Sequence, residues 1–330
     1  MDTREKLIAL LRGDPGRWIS GESLTKDLGV SRAAICKQVK GLRKQGYDIA
    51  SSTRKGYLFR GTTERLLPRE IVAGLDTRVF GKQQIHYFDA VDSTNLRAKA
   101  LASEGACEGT LVVAERQTLG RGRRTRKWFS PEGDGIYLSL ILRPCIAATE
   151  AAGITLMTAV AAADALERLA GLPVRIKWPN DILVRRKKLC GILTEIATEM
   201  DTIDYVVIGV GVNVNTPESR FPEELRDRAT SMSIESGRRY SRVAVVRAFL
   251  EAFEKVYQQF IAGGFDGILS RWKELTDVIG QQVRVVLVGR VIIGRVLDVD
   301  RDGTLLVTDG YGRVHRVLSG DLVMLRPEDL

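Results

Sequence analysis

Apolar residues in the first sixty positions recur at helical spacing and then switch to alternation. Residues 3 to 12 set Leu7, Ile8, Leu10 and Leu11 on one side of a short helix, which Gly13-Asp-Pro-Gly16 ends. Ser20 caps a second helix through Leu28 and Gly29-Val30 turns the chain. Ser31 caps a third helix to Gln45, with Gly46 in the C′ position. Ile35, Val39 and Leu42 form its buried stripe, which leaves Arg32, Ala33, Lys37, Lys40 and Lys44 outward. Tyr47 to Phe59 alternates like two strands around a tip at Thr53 to Gly56, where Arg54 and Lys55 stand. The pattern predicts a winged helix-turn-helix over residues 1 to 62.

Beyond residue 66 strands and helices intermix. Strands are expected near 84–88, 110–114, 136–142, 174–178, 189–197 and 203–210, with helices near 93–103, 149–170 and 242–262. These make a central mixed α/β or α+β domain over 66 to 268, of ordinary size. Val/Ile/Leu-rich runs at 282–288, 291–299, 304–308, 313–317 and 323–325, punctuated by Asp302-Gly303 and Asp309-Gly310, predict a small antiparallel barrel within a third domain, 276 to 330. The fold class is therefore multidomain α+β.

Composition narrows the function. The chain of 330 residues exceeds one ordinary core, and 44% hydrophobic content supports globular folding. No apolar run reaches the roughly 18–20 residues of a membrane span, and the charged start MDTREKLIALLRG is unlike a secretory signal, so a cytoplasmic protein is expected. Cys36, Cys107, Cys145 and Cys190 lie far apart, which predicts free thiols and neither a disulfide framework nor a zinc site. His86 and His315 are the only histidines. They exclude a histidine-rich metal site and argue against a Ser-His-Asp triad, and no protein metal site is expected. The net charge of +9 is uneven: residues 1 to 60 hold thirteen lysines and arginines against six acids, a balance of +7, which leaves +2 for the other 270. That bias points the first domain at nucleic acid, with Ser31, Arg32, Ala33, Lys37 and Lys40 of the third helix and Arg54 and Lys55 of the wing as its contacts.

The densest charge elsewhere is Gln117-Thr-Leu-Gly-Arg-Gly-Arg-Arg-Thr-Arg-Lys-Trp128, with five cations, two glycines and no acid. Such a segment repels itself until an anion arrives, and it reads as a loop that closes over phosphates. A solvated basic loop is the alternative reading. The dinucleotide fingerprint lacks its third glycine here, and Gly81-Lys82-Gln83 is no Walker A sequence. Four further fragments combine polar groups with turns: Asp92-Ser-Thr-Asn95, where Asp92 or Ser93 can cap a helix; Lys177-Trp-Pro-Asn-Asp181; Lys188-Leu-Cys-Gly-Ile-Leu193; and Gly209-Val-Gly-Val-Asn-Val-Asn215. Each alone can be an ordinary element end.

In this order, the fragments resemble the family of bifunctional biotin protein ligases that also serve as biotin operon repressors. The resemblance rests on Ser93-Thr-Asn95, Gln117, Gly120-Arg-Gly-Arg-Arg124, Arg126-Lys-Trp128, Lys177 to Asp181, Lys188 with Gly191, Gly209-x-Gly-x-Asn213, and Ser31 to Ile35 in the third helix, and it covers essentially the whole chain. Thr125 departs from it, since the family commonly has glycine there. The resemblance implies a class II synthetase-like central domain, an SH3-like C-terminal barrel, and ATP with Mg²⁺ and biotin as reactants. It also implies biotinyl-5′-adenylate as intermediate, the biotin carboxyl carrier protein of acetyl-CoA carboxylase and operator DNA as partners, and a homodimer induced by the adenylate.

The residue roles come with it. Lys188 would hold the biotin carboxylate and Arg123 the phosphate, while Asp181 could orient a metal, a water or the incoming lysine amine. Ser93, Thr94, Asn95, Gln117, Gly120, Arg121, Gly122 and Gly191 complete the biotin or adenylate site. Trp128 would cover the adenine, and Asn180 and Asn213 would contact adenine or ribose. For Trp128 and Trp178 alike, core packing competes. A lipoyl-protein ligase is the nearest rival, though its glycine-rich, histidine-containing signature is missing; a non-catalytic biotin-sensing transcription factor is the other.

Overall fold

The computed structural model describes residues 3–14, 16–147, 150–199, 202–287 and 289–325. They form two compact units, Met1–Glu70 and Ile71–Leu330. The first contains α1 (Thr3–Gly13), β1 (Trp18–Ile19), α2 (Gly21–Leu28), α3 (Arg32–Lys44), β2 (Asp48–Ser52) and β3 (Gly56–Gly61). Local chemistry sets its boundaries. Ser20 Oγ accepts from Ser23 N–H at 3.0 Å and Ser31 Oγ from Ala34 N–H at 3.2 Å, while Gly29 (φ 67°) ends α2 in the left-handed conformation. Leu7, Ile8, Leu11, Leu24, Ile35, Val39 and Leu42 are buried between the three helices. Leu10 departs from expectation: it is exposed, because positions 7, 8 and 11 already fill the inward arc of α1 and position 10 falls outside it. The hairpin gains β1 as a third strand, in the order β1-β3-β2.

The second unit begins within α4 (Pro68–Val72), at Ile71. It then runs through β4 (Ile85–Phe88), α5 (Thr94–Ser103), β5 (Leu111–Ala114), β6 (Gly135–Leu142), α6 (Ala151–Ala170), β7 (Val174–Lys177), β8 (Asp181–Val184), β9 (Lys187–Glu199) and β10 (Thr202–Asn213). The seven strands lie in the order β4-β5-β6-β10-β9-β8-β7, with only β4 and β5 parallel. β10 is buried over most of its length, as a central strand covered on both faces must be. Thr194 bonds Thr155 of α6, whereas the next residue, Glu195, bonds Asn95 of α5, so strand alternation puts the two helices on opposite faces.

After α7 (Glu223–Arg226) and α8 (Met232–Ser236), α9 (Arg242–Ile261) and α10 (Phe265–Leu275) pack beside α6. The chain closes with β11 (Gln282–Val286), β12 (Val291–Val299), β13 (Leu305–Asp309), β14 (Val314–Val317) and β15 (Asp321–Met324). These form one antiparallel sheet, ordered β14-β13-β12-β11-β15. Expected positions 149 and 288 lie outside the described residues. Trp178, 2% exposed, donates its indole N–H to Gly303 O at 3.3 Å; it packs as core and joins the two sheets. All four cysteines are free thiols.

Candidate functional site

The basic run folds back on itself. Trp128 N–H donates to Gly120 O at 2.9 Å and Gly122 N–H to Arg126 O at 2.7 Å, so the segment is a narrow hairpin-like loop with a single 3-10 turn, Arg123–Thr125, at its tip. The left-handed residue of that turn is Arg124 (φ 51°), and the turn asks for no glycine at 125.

The loop's base is tied to the start of α5. Gln117 Oε1 accepts from Thr94 N–H (2.9 Å) and Thr94 Oγ1 (3.1 Å), and Gln117 Nε2 donates to Ser130 Oγ (3.0 Å). The expected local cap is therefore corrected: Ser93 stands at the N-cap without a side-chain bond, Asp92 Oδ1 takes Ser93 N–H at 2.8 Å and pairs with Arg97 at 3.3 Å, and Gln117 caps the helix from outside. Ser139 Oγ donates to Asn95 Oδ1 (2.6 Å) and lies 2.9 Å from Thr94 Oγ1. Ser93, Thr94, Asn95 and Ser139 are all buried, which makes a cluster of neutral, hydrogen-bonding side chains. Ser139 was absent from the sequence-based set; its only signal is one polar residue inside the apolar run Gly135–Leu142.

Trp128 lies across two glycines. Gly191 and Gly211 are register partners on β9 and β10, and a Cβ would come within 2.9 Å of the indole at Gly191 and 2.5 Å at Gly211. Lys188 Nζ stands 5.3 Å from the ring centre and 2.6 Å from Asp181 Oδ1 on the neighbouring strand. The ring contact is worth about 0.5–2 kcal/mol. Asn213, at the end of β10, donates to Thr230 O at 3.0 Å.

At the loop tip Arg123 donates to Asn180 Oδ1 (3.3 Å) and Gly320 O (3.4 Å), and Asn180 Nδ2 donates to Ile192 O (2.6 Å). Burial draws Arg123 below the ordinary arginine range, against the pull of Asp321 and Asp181. Burial draws Lys177 down likewise, with Asp181 opposing and Lys188 adding. Arg124 and Arg126 reach Asp321 Oδ2 at 3.2 and 2.6 Å, and Arg121 lies 3.8 Å from Glu195 Oε1. This corrects the picture of a loop uncompensated until an anion arrives. Its carboxylate, Asp321, stands 197 residues along the chain from Arg124, where no spacing argument could connect the two.

The second unit thus brings together Ser93, Thr94, Asn95, Gln117 and Ser139 at an uncharged end, and Lys188, Asp181, Trp128, Asn180, Asn213 and the loop from Gly120 to Arg126 at a cationic one. Such a site suits a ligand with a neutral polar head and an anionic tail. Among the described residues, no three metal-ligating side chains gather. In the first unit Arg32, Ala33, Lys37, Lys40, Arg54 and Lys55 are exposed, and Ser31 serves as helix cap.

A model of the biotin/lipoate A/B protein ligase family matches residues 87–213, and a helix-turn-helix domain model matches residues 3–58. The bifunctional ligase/repressor BirA of Bacillus subtilis (strain 168) is 41% identical over 97% of this chain and 98% of its own. Its counterpart in Escherichia coli (strain K12) is 33% identical over 92% and 91%. Among solved structures, the biotin protein ligase from Aquifex aeolicus in complex with biotin and ATP superposes with a TM-score of 0.64 at 30% identity, covering 74% of this chain and 99% of that one.

Proposed function

This chain belongs to the bifunctional biotin ligase/repressor family, and from that premise we propose that it biotinylates one lysine of the biotin carboxyl carrier protein of acetyl-CoA carboxylase and represses biotin biosynthesis genes when loaded with biotinyl-5′-adenylate. One observation carries the reading: Lys188 is set on Trp128, at the base of the arginine loop, beside Asp181, in the same unit as the neutral hydrogen-bonded cluster of Thr94 and Asn95. Biotin supplies the matching halves, an uncharged ureido ring and a carboxylate.

In the first step the biotin carboxylate attacks the α-phosphate of ATP, the P–O bond to the β-phosphate breaks, and pyrophosphate leaves. Two anions must meet, and Lys188, Arg121 and Arg123 screen their repulsion while fixing the attack in line. Gly120 and Gly122 let the loop backbone approach the phosphate. Asp181 would be the carboxylate to hold a phosphate-bound Mg²⁺, which would supply further charge screening. In the second step the acceptor amine attacks the acyl carbon, AMP leaves, and an amide forms. No enzyme nucleophile is required. Trp128, Asn180 and Asn213 hold the nucleoside.

The proposal extends to three domains, 1–62, 66–268 and 276–330, the last an SH3-like barrel and the middle one class II synthetase-like. It includes a cytoplasmic location and an adenylate-induced homodimer that reads two operator half-sites through Ser31, Arg32, Ala33, Lys37, Lys40, Arg54 and Lys55. No helix among the described residues is long and apolar enough to cross a membrane. ATP–pyrophosphate exchange tests the ligase reading: exchange should require biotin and fail with lipoate, and exchange driven by lipoate alone would contradict it.

A further inference from the structure

Glu195 belongs to none of the contacts invoked above for chemistry, yet it touches both ends of the site. Its Oε2 accepts from Asn95 Nδ2 at 2.9 Å, and its Oε1 faces Lys99 Nζ at 3.1 Å and Arg121 at 3.8 Å. Resting on the ligase reading, we infer that Glu195 is a positioning residue that joins recognition of biotin's uncharged ring to placement of the arginine loop.

Asn95 is the buried amide that Glu195 meets. Its side chain can bind through either an oxygen or an NH₂ group, and the two orientations offer a ligand opposite hydrogen-bonding faces. An ionised carboxylate accepts only, so Glu195, together with Leu193 O at 3.3 Å, holds the NH₂ toward β9 and turns Oδ1 to Ser139, which donates at 2.6 Å. The fit leaves no slack: Asn95 is 3% exposed, and a Cβ on Gly209 would stand 2.0 Å from Asn95 Oδ1. Burial works to raise the Glu195 carboxyl, but hydrogen bonds from Asn95 and Lys99 and the charges of Lys99 and Arg121 hold it below the ordinary carboxylate range. The other oxygen meanwhile ties α5, through Lys99, to the first arginine of the loop. One carboxylate therefore sets the amide that reads the ring and anchors the loop that meets the phosphate.

Three proteins separate these roles: wild type, Glu195→Ala and Glu195→Gln, each assayed for biotin KM, ATP KM and adenylate dissociation. Glu195→Ala takes the carboxylate from the buried Asn95 NH₂, which keeps Leu193 O alone, and should raise biotin KM by about tenfold or more, more than it raises ATP KM. The Gln variant still accepts from Asn95, so it should restore biotin KM to within about threefold of wild type, the loss of a neutral hydrogen bond's scale. Its lost charge frees Arg121, and adenylate should dissociate faster. Unchanged biotin KM in the Ala variant, Gln no better than Ala, or equal rises in both KM values with a lowered Tm would each overturn the inference. Absence of adenylate formation in wild type would instead overturn the ligase reading itself.

Discussion

Lys188 and Arg123 differ in how they are held, and the difference predicts how each fails. Lys188 is fixed by a carboxylate and an aromatic face, whereas Arg123 has two long contacts to neutral oxygens and is free to exchange them for phosphate. Replacing either by alanine removes a charge-assisted contact worth about 1.5–3 kcal/mol. Single-turnover adenylate formation should slow by roughly 10- to 150-fold, with circular dichroism unaltered; normal rates in both variants would remove these residues from the site. A different arginine is structural. Arg242 and Glu115, each 2% exposed, pair at 2.7 Å, and Arg242 also donates to Gly135 O. Arg242→Ala removes the guanidinium that faces the buried Glu115 carboxylate and should destabilise the protein by about 3–5 kcal/mol, read from urea unfolding, and a loss under 1 kcal/mol would contradict the assignment. At this scale the sequence is legible where side chains act locally, as Ser20 and Ser31 do at their helices, and silent where partners come from elsewhere, as with Gln117 at α5 or Glu195 at Asn95.

Elements follow the same division. β12 runs over the very residues the apolar pattern marks, 291 to 299, because every second residue of a half-buried strand must be apolar. β8 escaped notice. It is four residues long and turns into β9 through Arg185 and Arg186, both with positive φ (47° and 67°), where sequence rules look for Asn-Gly. α10 was missed as well: its buried face, Ile268, Leu269, Trp272 and Leu275, is cut by charged residues within a single short helix. The arginine loop supplies the prediction at this scale. Asp321 is the carboxylate seen binding Arg124 and Arg126, so Asp321→Asn should speed protease cleavage between Gly120 and Lys127, and biotin with ATP should restore protection. Equal cleavage in variant and wild type would show that the latch holds nothing.

The molecule as a whole separates a strongly basic unit from a nearly neutral one, which implies separable activities. Deleting residues 1–62 should abolish operator binding and spare most ligation; a fragment that still binds the operator tightly would place DNA recognition elsewhere. In the proposed switch the units are coupled through an assembly step, since one short recognition helix gives too small a contact for strong operator selection. Sedimentation should show a dimer with biotinyl-5′-adenylate and a monomer without it. The same state in both conditions would sink the switch and leave catalysis untouched. Catalysis has its own direct test, incubation of the full chain with biotin, ATP, Mg²⁺ and a biotin carboxyl carrier domain, followed by an avidin blot. The account predicts label on one carrier lysine, dependent on both biotin and ATP and strongly reduced by Lys188→Ala; an unlabelled carrier, or labelling unaffected by Lys188→Ala, would contradict it.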